Sequence, residues 1–575
     1  MNENTNETVQ EMFLQHGCGV LMLHTLSFLD VVTLLRKQVV SRQFKNLCSK
    51  AITAKCGKDG PLPLTNETLK KAIREFCPIM YDHNFNKEDM EIIACTYGFP
   101  IDSWNVSQVT DMSYLFCGGH RYPKAIEDWD QYDMYEMNSV PYFNEYIGSW
   151  DTSNVTNMRL MFATAICFNQ NIGQWDVSNV EDMEEMFRDA RTFNQNIGQW
   201  DVSNVVDMGE MFMDARTFNQ EIGRWDVSNG EGMSSMFHGA RKFNQDIGQW
   251  DVSNVEYMDG MFRDALEFNQ DIGRWNVSNV VETSSMFHGA RKFNQDIGQW
   301  DVSHVDSMDG MFRDARTFNH NIGSWNVSHV IDMVQMFCGA RKFNHDIGQW
   351  DVSNVESMDS MFLNALEFNQ DIGRWNVSNV REMSSMFYGA RKFNQDIGQW
   401  DVSHVNSMDG MFRDARTFNH NIGRWDVSNV GRMSCMFHGA RKFNQDIGQW
   451  DVSNVKSMDS MFLNALEFNQ DIGSWNVSNV REMSRMFYGA RKFNQDIGQW
   501  DVARVEGMNY MFYGACSFNR DIRNWNVSNV KYMNNMLYSA SGFHFDLSSW
   551  DVSHVQDKLC MLPEGFPENF HPRNL

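Results

Sequence analysis

The stretch "FNQDIGQWDVSNV" occupies residues 243–255, and near-copies of it return down the chain. From Trp150 to Trp550 a Trp recurs every 25 residues, 17 times in register, and Phe143 to Phe543 keep the same step. Pairs such as Met186-Phe187 and Met261-Phe262 move with them, so a whole unit repeats and not one residue. Residues 351–400 and 451–500 differ only at 356/456, 374/474 and 385/485.

Within the unit 168–192, Val180, Met183, Phe187 and Ala190 stand three or four apart, a spacing that predicts one helical stripe. Ser178 and Glu181 have capping-box spacing ahead of it, and Gly239 or Gly289 stands near its end. In "IGQWDV", Trp175 and Val177 share one face of a short extended segment. The expectation is one short strand and one helical turn per coil. A 25-residue coil cannot bury its own apolar side, so coils must lean on one another. The expected fold is therefore α/β: an open right-handed leucine-rich-repeat-like solenoid of 25-residue coils, preceded by a small all-helical N-terminal region. Trp175, Trp200, Trp300 and Phe193 are expected to form buried ladders, and Asn194, with Asn169 and Asn219, a polar ladder that satisfies backbone groups at a corner.

The repeat resembles a known family. "SWNVSQVTDMSYLF" at 103–116, "FNQDIGQWDVSNV" and "MFYGARKFNQDIGQW" at 386–400 are similar, almost residue for residue, to units of the BspA-like, leucine-rich-repeat-type surface proteins, mycoplasma lipoproteins among them. The resemblance implies a surface or adhesion role and carries over no catalytic residue. It also implies a second threading, in which the Met-Phe pair forms the strand.

Residues 20–51 differ from everything that follows and resemble an F-box, with "LSFLD" at 26–30 and "VVSRQF" at 39–44. The resemblance implies docking on the adaptor of a cullin-type ubiquitin ligase through Leu26, Phe28, Leu29, Leu34, Leu35 and Phe44. A small helical cover over the first coil is the alternative. After the Gly/Pro-rich "GKDGPLPLTNE", Leu69, Ala72, Ile73 and Phe76 trace another helical stripe with Thr65 or Asn66 as its cap. The organisation expected is an F-box-like segment over 1–60, a helical cap over 61–100, the repeats over 101–562 and a tail over 563–575. The stretch from Trp129 to Trp150 reads as an irregular coil.

A net charge of -25 argues against nucleic acid or an anionic membrane as the main ligand. Eleven Cys at irregular positions form neither a disulfide framework nor a C-x-x-C pair. The opening "MNENTNETVQEM" is polar and acidic where a secretion signal carries a basic end and an apolar run, so an intracellular, cytoplasmic location is expected. The Asp176, Asp201 and Asp226 row alternates with Asn276, Asn326 and Asn376, which reads as dilution of like charge on a surface ladder and not as a calcium cage. "N-V-S" at Asn276 is a formal glycosylation acceptor that arises whenever Asn replaces Asp in "WDVS". His238, His288 and His438 share a repeat position with Arg188, Cys338 and Tyr388, and so varied a position reads as exposed.

No phosphate loop, nucleophile elbow or H-E-x-x-H is present, so neither an enzyme nor a cofactor is expected. What varies is the surface: Arg224, Arg274, Arg374 and Arg424 precede their Trp where other coils carry Gln, and Arg191, Arg216, Arg241, Arg291 and Arg391 form a second row. A constant core with a changing surface suits protein contact, and the four Arg that precede Trp are the candidate partner-binding positions. The reading is a protein-protein interaction scaffold, an F-box-type substrate adaptor in its finer form, with a BspA-like surface protein as the alternative.

Overall fold

The computed structural model describes residues 63–81, 92–94, 96–118 and 141–575, which fall in two compact units, Met1–Asn229 and Gly230–Leu575. The F-box-like stretch 20–51 and residues 119–140 lie outside the described residues.

Counting each coil from its Phe, with Phe243 as position 1 and Trp250 as position 8, the second unit has one plan throughout. Phe, Ile, Trp and Val at positions 1, 5, 8, 10 and 13 point inward, as do the Met, Met-Phe and Ala at 16, 19, 20 and 23. The chain turns at every corner of this core. Trp275 N–H donates to the Ile272 carbonyl at 3.2 Å, Val280 N–H to Val277 at 3.0 Å and Met286 N–H to Thr283 at 3.1 Å. Thr283, which takes the usual place of Met, stays buried by passing its hydroxyl proton to the Ser307 carbonyl at 3.1 Å.

The expected α/β class does not hold. Among the described residues the full helix is α1, Asn66–Tyr81, and the coils contain successive turns with single parallel bridges and no sheet. The reason lies at positions 18 and 22, where Gly260 (φ 61) and Asp264 (φ 53), or Glu185 (φ 58) and Asp189 (φ 56), have positive φ. A helix cannot pass through such residues, whereas a four-residue turn with positive φ at its third residue can. Turns that each use three or four residues bring Val180, Met183, Phe187 and Ala190 to one side as a helix would. The amides a helix would spend on its own chain go to the next coil: Met258 donates to the Glu282 carbonyl at 3.1 Å, Gly260 to Ser284 at 2.8 Å, Phe262 to Met286 at 2.9 Å and Asp264 to His288 at 2.7 Å. The bridges fall here, at Tyr257↔Glu282 and its successors, and not in "IGQWDV".

Large rings stack coil on coil. Trp275 and Trp300 lie 6.4 Å apart at 2°, and Phe262 and Phe287 5.7 Å apart at 8°. The first unit repeats the plan, with Trp150 and Trp175 6.4 Å apart at 2°. There, Phe116 packs against Phe143 at 3.9 Å and against Phe162 at 5.4 Å, and Met112 N–H donates to the Asn157 carbonyl at 2.9 Å. The Trp104 coil thus rests directly on the Trp150 coil, and most of the stretch from Trp129 to Trp150, expected as an irregular coil, lies outside the described residues.

Both ends of the repeats are covered. At α1, Thr65 is the cap, its hydroxyl oxygen accepting from Thr68 N–H at 3.3 Å, while the Asn66 side chain accepts from Thr110 N–H at 2.9 Å where a coil would offer a carbonyl. Lys70 pairs with Asp111 at 2.8 Å. At the far end of the second unit the chain returns: Leu547 N–H donates to the Phe570 carbonyl at 3.0 Å, Arg573 N–H to Trp550 at 2.8 Å, and Phe566 extends the Phe column 5.9 Å from Phe543.

Candidate interaction surface

Much of the polar chemistry of a coil is committed to its neighbours. The indole N–H of Trp300 donates to the Ile272 carbonyl of the preceding coil at 3.1 Å, so a buried ring keeps no orphan donor. In the first unit Trp175 and Trp200 do the same to Ile147 and Ile172, at 3.1 and 3.3 Å. The Asn169 side chain accepts from the Asn194 N–H at 2.9 Å, and Phe193 lies 4.0 Å from Phe187. Asn279 donates to the Ser253 carbonyl at 2.7 Å.

The carboxylate row is equally occupied. Asp176 accepts from the Ser178 amide at 3.1 Å and from its hydroxyl at 2.6 Å, bonds that hold its acid below the usual carboxylate range. Asn276 accepts from the Ser278 amide at 3.2 Å in the same way. Asp and Asn interchange because the turn needs an acceptor oxygen and no charge. Among the described residues no group of three or more His, Cys, Asp or Glu is placed to hold a metal.

The four Arg that precede Trp are exposed, and in the second unit they stand at the outer corner of the turn from position 5 to position 8. They form no cluster: Arg374 and Arg424 are two coils apart with Gln399 between them, and Arg224 belongs to the other unit. In the second Arg row, Arg191 is held by Asp189 of its own coil at 2.7 Å, while Arg241, Arg291 and Arg391 follow a Gly at that place.

Position 21, expected to be exposed, is half-buried, because its side chains lie over one another from coil to coil. Arg413 covers the Tyr388 ring at 4.9 Å, and Tyr488 stacks on Tyr513 at 4.8 Å and 9°. Burial, with Arg263 and Arg313 nearby, lowers the His288 imidazole to about 4. Beside this column, burial raises the carboxyls of Asp309, Asp359 and Asp459 above their usual range, Asp332 adding to the effect at Asp309. In the first unit an open groove of about 380 Å³ is lined by Leu160, Thr164, Glu185, Arg188 and Asp189. Its charges satisfy each other, since Arg188 pairs with both Glu185 and Glu210 at 2.6 Å. Glu184 nearby is lifted to about 7 by burial and by Asp207, Glu185 and Asp182, against the pull of Arg159.

The edge that sequence reasoning missed is at positions 14 and 15, beside the inter-coil ladder. Three of the five exposed large apolar side chains of the second unit stand there, Tyr257 (48%), Ile331 (49%) and Tyr532 (42%), three and then eight coils apart; Leu559 and Leu575 lie elsewhere. The signal was available by comparing one position across coils instead of reading along one coil, since position 14 takes Glu, Val, Asp, Ile, Arg, Asn, Gly and Lys in turn.

The repeats match the family model described as Mycoplasma protein of unknown function, DUF285, in six overlapping segments: 88–142, 132–242, 220–325, 307–420, 391–497 and 467–569. The chain belongs to this family. It is thus a DUF285 repeat protein of the BspA-like type, and the positions that define its repeat are the buried and inter-coil-bonded ones. No curated protein matches the chain. The adaptor-contact residues Leu26, Phe28, Leu29, Leu34, Leu35 and Phe44 lie outside both the family match and the described residues. No helix among the described residues is long and apolar enough to cross a membrane.

Proposed function

We infer that this DUF285 protein is a non-enzymatic scaffold that binds other protein surfaces through the exposed columns of its coils, chiefly the edge at positions 14 and 15. One observation carries the reading: Tyr257, Ile331 and Tyr532 expose large apolar surface on that edge, while the neighbouring positions 13 and 16 stay buried coil after coil. Large apolar side chains that recur along one edge, among charged ones, supply separate anchor points for a partner that runs along it. Varied side chains on a repeated frame suit one partner surface at several points.

Cross-linking in cells, with the linked residues read by mass spectrometry, tests this. Links should concentrate on positions 14 and 15 and fall in a Tyr257→Ser/Ile331→Ser variant, while Arg274→Gln/Arg374→Gln leaves them in place. Links spread evenly over all exposed columns, unchanged in the first variant, would refute the assignment. Recruitment of a ubiquitin-ligase adaptor by residues 20–51 is the finer form of the proposal. The full chain should then capture the adaptor and lose it with Leu29→Ala/Phe44→Ala; no capture by the wild type removes that form and leaves the scaffold.

A further inference from the structure

In the second unit each position-14 amide donates to the position-14 carbonyl of the coil before it, as Glu256 does to Glu231 at 3.0 Å and Arg481 to Lys456 at 2.9 Å. These side chains therefore form one column rising roughly 4.8 Å per coil. Successive indoles are tilted by only 2° at Trp275–Trp300, 1° at Trp425–Trp450 and 4° at Trp500–Trp525, so the ring planes stay nearly parallel from coil to coil.

Charge on this column is segregated. Glu231, Glu256, Asp306 and Glu356 occupy its first half, and Arg381, Lys456, Arg481 and Lys531 its second. With position 15 included, the first six coils carry six carboxylates and no cation, the next seven carry five cations and three carboxylates, and the last carries one carboxylate, Asp557. Of these, Glu506 and Lys531 already pair with each other at 2.6 Å, and Arg432 pairs with Asp409 of the coil before it at 2.7 Å.

A strip that runs from acid to base about a centre complements a copy of itself when the copy is reversed, and opposes it when the copy is parallel. We propose that two copies of this chain associate antiparallel through this edge, about a two-fold axis between the coils of Glu356 and Arg381. This deepens the interaction reading by naming the partner. Glu356 then faces the partner's Arg381, Asp306 the partner's Arg432, Glu282 the partner's Lys456 and Glu256 the partner's Arg481. A two-fold makes each pair twice. Within one chain Glu356 and Arg381 lie 3.8 Å apart and are both more than half exposed, so at the axis four groups close into a ring. Tyr257 stands in the coil that meets the partner's Arg481, where its ring can receive the guanidinium. The outermost match sets Glu231 against the partner's Glu506, and the partner's Glu382 and Glu482 stand beside the Arg381 and Arg481 that meet Glu356 and Glu256. The pairs from Glu256 to Arg481 span nine coil steps, roughly 43 Å at the spacing of parallel strands.

Sedimentation of the full chain tests this at about 0.1 M and about 1 M salt, between which the screening length falls from ~10 to ~3 Å. A dimer is expected at the lower salt and dissociates at the higher. Glu256→Arg and Arg481→Glu, both at exposed positions, should each weaken it at least about tenfold, because each sets like charges opposite one another twice. The double variant restores the pairing in swapped form and with it the dimer. A wild type that stays monomeric at the lower salt overturns the proposal, as does a dimer indifferent to the single reversals or one that the double variant fails to recover. A monomer would still leave the cross-linking test of the scaffold to be decided on its own, since that test reads contacts with any protein.

Discussion

Replacing Trp300 by Ala removes one rung from the indole column. The ring is 4% exposed, lies 6.4 Å from Trp275 and 6.2 Å from Phe287, and gives its N–H to the Ile272 carbonyl at 3.1 Å. Removing a buried Trp costs about 3–5 kcal/mol in lost transfer energy and cavity. The Ile272 carbonyl keeps the Trp275 N–H as a donor at 3.2 Å, so the lost indole bond adds no more than about 1 kcal/mol. Trp300→Phe keeps a ring in the column and loses the bond, so about 1–2 kcal/mol is expected.

The loss should stay local, because a stacked repeat is coupled to its nearest neighbours. The amides that report it are those of Ser285, Phe287 and Gly289, which donate to the Asp309, Met311 and Arg313 carbonyls of the next coil. Hydrogen exchange by mass spectrometry should show them deprotected, with protection near Trp450 unchanged. Arg274→Ala, at an exposed site, should change the unfolding free energy from denaturant titration by less than ~0.5 kcal/mol. Equal midpoints for Trp300→Ala and Arg274→Ala, or deprotection spread evenly over the second unit, would refute the ladder.

Two glycines should part company on substitution by Ala. A Cβ on Gly448 would stand 2.5 Å from the Asp471 backbone oxygen, so Gly448→Ala should cost about 1–3 kcal/mol in thermal unfolding, whereas Gly431, whose nearest neighbour would be 4.0 Å away, should gain about 0.4–1. Two groups should answer pH in opposite directions. Glu184, raised from 4.5 to about 7, contributes stability that is complete below its unfolded value and is lost as pH climbs through 7; Glu184→Gln should flatten that slope in the first unit. His288, lowered from 6.5 to about 4, contributes stability that is complete above 6.5 and is lost as pH falls toward 4, a slope in the second unit that His288→Tyr should remove. Each shift bounds its effect near ~3 kcal/mol, and solvent around these half-buried groups reduces it to about 1.

The buried face was legible because burial repeats in the sequence: Trp, Phe, Met and Ile return every 25 residues and each is found inside. Local backbone form was not legible, because a 3–4 spacing is what a helix and a chain of short turns both produce. Ser178 and Glu181 have the spacing of a capping box, yet Ser178 bonds Asp176 and the Glu181 amide donates to Thr156 of the preceding coil. The deciding residues, Glu185 and Asp189, show nothing of their positive φ within their own coil. Compared across coils, the position of Asp189 takes almost only Asp, Gly and Asn, residues that tolerate a left-handed backbone, and there the turns could have been read; the position of Glu185 ranges from Gly and Ser to Gln, Arg and Tyr and shows nothing.

Positions 14 and 25 show how stability and recognition separate on such a frame. Both are exposed columns in which neighbouring coils bring side chains close together. At position 25 the charge alternates, and Lys292, Lys392 and Lys492 pair with Glu267, Glu367 and Glu467 of the coils before them. Stability alone favours that order, since opposite charges on adjacent strands attract and like charges repel. Position 14 departs from that order where Glu231 stands directly beside Glu256 and Lys456 beside Arg481, while Arg481, Glu506 and Lys531 alternate. Neighbours of like charge at that spacing cost the fold a little and return nothing to it. Because the core and the inter-coil bonds hold the coils together whatever stands at position 14, the fold tolerates this cost. A segregated column gains only when something of opposite charge lies along it, and the reversed copy of the same column is the one surface already known to have that charge in that register.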